Sequence, residues 1–356
     1  MNCCVRCFKD PEIKAIVKGC NIQGDCDFCL HKQTDVCDIK NEGLIENFER
    51  LIDVYSPISD IDGDFPKERA DLIKNILSNE WNIFNLQSDK IYLFLKALLS
   101  NKYSEEPKLF DEPVGIKGSI QEEYLKQYSI LGSAQWNDFV EEIKTTNRFH
   151  TTIINKEILQ KVLEVSCKDY KVGTEFFRAR IWTDGVGYSK TEMGPPPPKK
   201  ASAGRANPEG ICCLYLADSL NTTLHETRAG VYDYATVGKF VLNEDISVVD
   251  LTALDKISPF YIPDIDLLAA NLGHLRKIGN EISRPLRKHD SSLDYLPTQY
   301  ICDYIKSIGY SGIKYKSTMC SDGINFAIFD DKLLDCTSVS NYDISSLRYD
   351  YNEVES

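Results

Sequence analysis

The stretch 204-GRANPEGICCLYLADSLNTTLHETR-228 holds an arginine in a Gly-Arg-Ala-Asn-Pro turn, a tyrosine in an apolar run and a glutamate on a short polar helix. ICCLYLA (211–217) has the composition of a strand. NTTLHETRAG (221–230) reads as a helix entered through Asn221 or Thr222 as its cap. A strand followed by a helix needs apolar core positions and polar caps. It does not need a tyrosine among apolar neighbours, set between an arginine and an acid. Singly, each residue has an ordinary reading: Arg205 caps a turn beside Pro208, Tyr215 is core, and Glu226 is the exposed face of a helix.

Around this stretch the texture is that of strands. TEFFRARIW (174–182), VGKFVLN (237–243), SVVDLT (247–252), SGIKYKS (311–317) and INFAIFD (324–330) are rich in β-branched and aromatic residues. LPTQYICDYIKSIGY (296–310) has helical periodicity. Strands and helices mix without regular alternation, so the C-terminal half is expected to be α+β. Between the first two strands, Pro195–Pro198 excludes a helix or a central strand and marks a loop, either a stiff connector or a flap over a site. Upstream, KERADLIKNILSNE (67–80), DKIYLFLKALLSNK (89–102) and SIQEEYLKQYSILGSAQWNDFVEEIKTT (119–146) read as helices, the last broken near Gly132 and Ser133. The expected organisation is a cysteine-rich segment at 1–45, a helical domain at 46–165, an α+β domain at 166–345 and an acidic tail at 346–356.

A net charge of −13 repels polyphosphate, which argues against non-specific nucleic-acid binding and against anionic membranes. No run of about 18 apolar residues is present to span a bilayer. MNCCVRCFKD lacks the pattern of a secretory signal, and a cytoplasmic protein is expected. Seven of the 13 cysteines fall in the first 40 residues. In a reducing compartment such clustering favours a metal over disulfides. CVRC supplies Cys4 and Cys7, and CDFC supplies Cys26 and Cys29: two knuckles that can close round one structural, tetrahedral zinc. Cys3, Cys20, Cys37 and His31 are alternative ligands. So short a segment buries little apolar surface, and the metal would supply the missing stability.

Several common chemistries are excluded by inspection. GVGYSKT fits neither the dinucleotide fingerprint nor a Walker loop, LHETR lacks the second histidine of a zinc protease, and GYSGI is no nucleophile elbow. FFRARIW, GPPPP, GRANPEGICCLYLADSLNTTLHETR, VVDLT and LPTQYICDYIKSIGYSGIKYKSTMCSDGINFAIFD occur in that order, and together they resemble the RES domain family over residues 173–335. CCVRCF and CDFC resemble, more loosely, the cysteine-rich domain attached to some RES proteins of bacterial conflict and defence systems.

The resemblance implies an ADP-ribosyltransferase-like split sheet holding NAD in a cleft. It also implies an NAD-degrading enzyme that hydrolyses or phosphorolyses the nicotinamide–ribose bond, acting as a toxin or defence effector. Carried onto this sequence, the catalytic set is Arg205, Tyr215, Glu226 and Ser317. The substrate-binding set is Arg178, Arg180, Asn207 and Asn325, with the choice between the two strand arginines open. GICCLY departs from the family pattern by two small cysteines, which should only retune packing. NAD is the expected substrate; an inhibitor or sensor protein, or a second copy of the chain, is the expected protein partner. The residue types suit that chemistry. A carboxylate stabilises an oxocarbenium-like ribose, a guanidinium matches pyrophosphate, and a tyrosine offers a flat face to nicotinamide. Two other readings remain: an ADP-ribosyltransferase acting on a macromolecule, and a zinc-ribbon binding module with an inert C-terminal domain.

Overall fold

The structure, a computed structural model, describes residues 1–356 except 62, 64, 184, 285–290 and 349–356. Most of the expected acidic tail therefore lies outside the described residues. The chain divides into two compact units. The first comprises Met1–Phe139, Thr152–Val165 and Asp255–Leu275; the second comprises Val140–Thr151, Ser166–Leu254 and Arg276–Ser356.

In the first unit, strands β1 (Asn2–Cys4), β2 (Ile22–Gly24) and β3 (Thr34–Asp38) form a small sheet in the order β1-β3-β2. A second small sheet, in the order β4-β6-β5, joins β4 (Tyr55–Pro57), β5 (Asp71–Leu72) and β6 (Pro113–Ile116). Several helices of this unit begin at side-chain caps. The Asp10 carboxylate accepts from the backbone N–H groups of Glu12 and Ile13 ahead of Pro11–Gly19, and Asn41 accepts from Leu44 N ahead of Glu42–Ile52. Phe8, Phe28, Phe48, Phe84, Phe94 and Phe260 cluster beside them, with ring centroids 5.2–6.5 Å apart. The helix expected over 67–80 starts only at Ile73, because Asp71 and Leu72 pair with Val114 and Pro113 of β6.

In the second unit, eight strands form one sheet in the order β14-β10-β8-β9-β13-β12-β11-β7. They are β7 (Cys167–Tyr170), β8 (Glu175–Trp182), β9 (Leu214–Ala217), β10 (Tyr234–Leu242), β11 (Ile246–Asp250), β12 (Gly312–Lys316), β13 (Ile324–Ile328) and β14 (Leu334–Asp343). Every pairing is antiparallel except β11 with β12. Leu214, Leu216, Phe326 and Ile328 point into a core shared with Phe176, Phe240, Val248 and Leu334. The two-residue period of a strand then places Tyr215 and Asn325 on the opposite face. The α+β expectation holds for this unit, with the expected strands present to within a few residues. β7 and β14 lie outside the sequence reading. No helix among the described residues is long and apolar enough to cross a membrane.

One glycine of this sheet admits no side chain. A Cβ on Gly312 would stand 2.4 Å from the Ala327 carbonyl oxygen, a backbone atom of the neighbouring strand. Gly312→Ala must push β12 and β13 apart, and should cost about 1–3 kcal/mol. A fall in the urea midpoint with an unchanged slope would register that cost.

Candidate active site

The sheet is nearly interrupted in its middle. β8 and β10 stay in register from Tyr234↔Trp182 to Val241↔Glu175, whereas β8 and β9 share the single pair Phe177↔Ala217. Beyond that pair the backbone groups need other partners, since a buried amide or carbonyl without one is costly. Ala179 N donates to Thr223 Oγ1 at 2.9 Å, and the Tyr215 carbonyl accepts from Arg178 Nη1 at 3.0 Å. The gap opens into a cleft of about 400 Å³, lined among others by Arg178, Arg205, Tyr215, Glu226, Thr318 and Asn325. That volume suits a small-molecule ligand.

The Gly204–Asn207 turn forms one wall. Tyr215 accepts from Ala206 N at 3.0 Å and donates to Asn207 Oδ1 at 2.6 Å. Asn207 Nδ2 donates in turn to the carbonyls of Ser202, Pro208 and Ile211. Gln299 holds the carbonyls of Gly204 and Asn207, and Thr298 holds that of Arg205. A Cβ at position 204 would lie 2.5 Å from the Tyr215 hydroxyl, so the turn demands glycine. Burial pushes the Tyr215 phenol well above its usual pKa. Its hydroxyl is committed to the turn while the half-buried residue lines the cleft. Asn207 is 4% exposed, and its amide is committed to the turn in the same way.

Glu226 ends the helix Leu220–Glu226, which Ser219 caps by accepting from Thr222 N. Ser317 Oγ donates to Glu226 Oε1 at 2.5 Å, and Asn325 Nδ2 donates to the same oxygen at 2.7 Å. Ser317 Oγ also accepts from the N–H groups of Met319 and Cys320.

Arg178 and Arg205 line the cleft, and neither has a carboxylate partner among the described residues. Burial, then the neighbouring Arg180 charge, brings the Arg178 guanidinium down to about 10. Its Nε is buried and makes no hydrogen bond. Arg205 reaches the Ile282 carbonyl at 3.1 Å and Thr318 Oγ1 at 3.4 Å. Arg180 turns elsewhere: it lies over the Tyr188 ring at 4.7 Å and donates to the Glu192 carbonyl. Of the two strand arginines, Arg178 therefore faces the cleft. Sequence reasoning passes over Thr223, Tyr295, Tyr315 and Thr318, which also line it. Their residue types carry no signal of their own, and only the flanks of the quoted motifs could have pointed to them.

In the first unit the sulfurs of Cys4, Cys7, Cys26 and Cys29 all lie within 4.8 Å of one another. Three of the separations are 3.3, 3.4 and 3.8 Å. Zinc–sulfur bonds of about 2.3 Å give a tetrahedron with edges of about 3.8 Å, so the four thiolates fit a closed structural site. His31 Nδ1 sits 3.3 Å from Cys29 Sγ, outside the four sulfurs. Of the alternative ligands, Cys20 and Cys37 pair with each other as a disulfide, so these two form a bridge, while the four expected ligands cluster as a metal site would need. Cys3 points its sulfur at the Cys37 carbonyl.

Residues 177–352 match the family model described as the RES domain. No curated protein matches the sequence. Among solved structures, a chain of the M. tuberculosis MbcT–MbcA toxin–antitoxin complex aligns at a TM-score of 0.33 with 12% identity, over 54% of this chain and 94% of that one.

The cysteine geometry sets a measurable stoichiometry. Elemental analysis of protein purified without chelator should find one zinc per chain, and the double substitution Cys26→Ser, Cys29→Ser should abolish it. With half of the ligands gone, the β1–β3 segment should become protease-sensitive.

Proposed function

We propose that this chain, whose residues 177–352 form a RES domain, cleaves the bond between nicotinamide and ribose in NAD. The observation that carries this reading is the content of one cleft: a carboxylate fixed through one oxygen, in a lining it shares with Arg178 and Arg205, neither of which has an acidic partner among the described residues. A dinucleotide pyrophosphate supplies the missing anions, and a ribosyl cation supplies the missing positive charge. The sheet opened between β8 and β9 supports an ADP-ribosyltransferase-like plan.

In this mechanism Arg205 and Arg178 grip the pyrophosphate through charge-assisted bonds. The exposed part of Tyr215 lies against the nicotinamide. As the N-glycosidic bond breaks, its electron pair stays on the pyridinium nitrogen, and nicotinamide departs as a neutral pyridine. Glu226 then faces the positive charge that grows on the ribose. Water or phosphate completes the reaction at the ribose anomeric carbon. In a cell the outcome is loss of NAD, the action of a toxin or defence effector that an inhibitor or sensor protein must restrain. Zinc at Cys4, Cys7, Cys26 and Cys29 is structural in this scheme and takes no part in the reaction.

The test is release of free nicotinamide from NAD, followed with and without phosphate, with mass spectrometry of any modified protein. A labelled protein acceptor would identify transfer to a macromolecule, and NAD left intact by full-length protein and by residues 165–356 alone would sink the reading. Glu226→Gln can keep both hydrogen bonds to its carbonyl oxygen while losing the charge. Its single-turnover rate should fall by about 100-fold or more, with NAD affinity little changed. Arg205→Ala should instead weaken NAD binding by about 2 kcal/mol, close to 30-fold, as calorimetry would record.

A further inference from the structure

We infer that Asn325 is a positioning residue for Glu226, and that it directs the second carboxylate oxygen, Oε2, at the substrate. The inference rests on the NAD-cleaving reading and adds a role for a residue that the resemblance places against the substrate.

The hydrogen-bond inventory around Oε1 carries it. A serine hydroxyl has one proton and two lone pairs. Ser317 Oγ accepts from Met319 N at 3.1 Å and from Cys320 N at 3.0 Å, so both lone pairs are used. Its proton is then the one directed at Glu226 Oε1. Asn325 Nδ2, an obligate donor, reaches that oxygen at 2.7 Å. A carboxylate oxygen also has two lone-pair positions, and both of those on Oε1 are now filled. The oxygen that can approach a ligand is Oε2.

Asn325 is well placed to hold this arrangement. It is 4% exposed, in the middle of the sheet, in register with Ala217 of β9 and Tyr315 of β12. Its backbone cannot shift without disturbing two ladders. Ser317, by contrast, lies just past β12, in a segment closed by a bond from Ser317 N to the Gly323 carbonyl. Glu226 sits at the end of a seven-residue helix, where side-chain freedom is otherwise large. The strand therefore provides the rigid reference, and the glutamate takes its orientation from it. Because Asn325 acts through Glu226, its value to the reaction should depend on the glutamate charge being present.

That dependence is what a double-mutant cycle measures. Asn325→Leu keeps the branching at Cγ and removes the donor. In the full-length protein it should slow nicotinamide release by about 10- to 100-fold while KM changes by less than about 3-fold. In a Glu226→Gln background the same substitution should cost less than about 3-fold, since the charge it orients is gone. Asn325→Ala, which removes the donor without adding bulk or charge, guards against misfolding of the leucine variant and should show the same pattern. A raised KM with an unchanged rate would make Asn325 a substrate contact, and equal losses in both backgrounds would make it a general structural residue. Either result overturns the positioning role alone. Wild-type protein that leaves NAD intact would overturn the underlying reading as well.

Discussion

The break between β8 and β9 is the constraint on which the C-terminal unit depends. Strands in a sheet ordinarily satisfy one another's backbone groups, and here that arrangement lasts for one residue pair. The groups beyond it are satisfied by side chains, the Thr223 hydroxyl on one side and the Arg178 guanidinium on the other. A sheet could not open in this way without such substitutes, because each orphaned amide or carbonyl would cost on the order of 1–3 kcal/mol. Thr223 belongs to the helix that ends in Glu226, so the element that wedges the sheet apart also delivers the acid to the gap. Arg178 meets the Tyr215 carbonyl through one nitrogen, and its buried Nε makes no hydrogen bond among the described residues. One residue thus helps to hold the gap open and gives it positive charge.

The polar groups around the cleft divide into committed and uncommitted ones. The Tyr215 hydroxyl, the Asn207 amide and the Gln299 amide are all occupied in holding the 204–207 turn. Ser317 and Asn325 are occupied in holding Glu226. What remains for a ligand includes one carboxylate oxygen, the exposed surface of Tyr215 and the charge of Arg178 and Arg205, beside the further lining residues Arg228, Tyr295 and Tyr315. This division explains why a polar cleft can be rigid, since each positioning group already has its partners before any ligand arrives.

The fold was legible where side chains alternate. β8, β10 and β13 carry β-branched and aromatic residues at strand spacing, and the helix Leu296–Ser307 carries Ile301, Cys302 and Ile305 at helical spacing. β14 reads LDCTSVSNYD, with only its first residue buried, so an edge strand facing solvent leaves no apolar pattern to find. β5 has two residues and is set by its partner β6, which no local rule can show. The helix Ile265–Ser283 is a different case. Leu268, Leu272, Leu275, Ile278 and Ile282 are buried at helical spacing, so the sequence carries a full helix signal there. Within the site, charged residues were findable from motif and chemistry together. The places of Asn207 and Thr223 were not, because a hydroxyl or an amide has the same letter whether it meets a ligand or a backbone group.

The residues that complete the cleft are far apart along the chain. Arg178 and Tyr215 come first, Glu226 follows, and the donor on Asn325 lies 99 residues beyond the acid that it meets. Such contacts give a high contact order, and loop closure must precede their stabilising effect. A ribosome releasing this chain from its N-terminus exposes the arginines and the glutamate well before β13. Until that strand inserts between β9 and β12, the carboxylate lacks one of its two donors and the cleft one of its lining residues. The nascent polypeptide thus lacks part of this cleft through most of its synthesis, and the lining is completed late, with the docking of one five-residue strand.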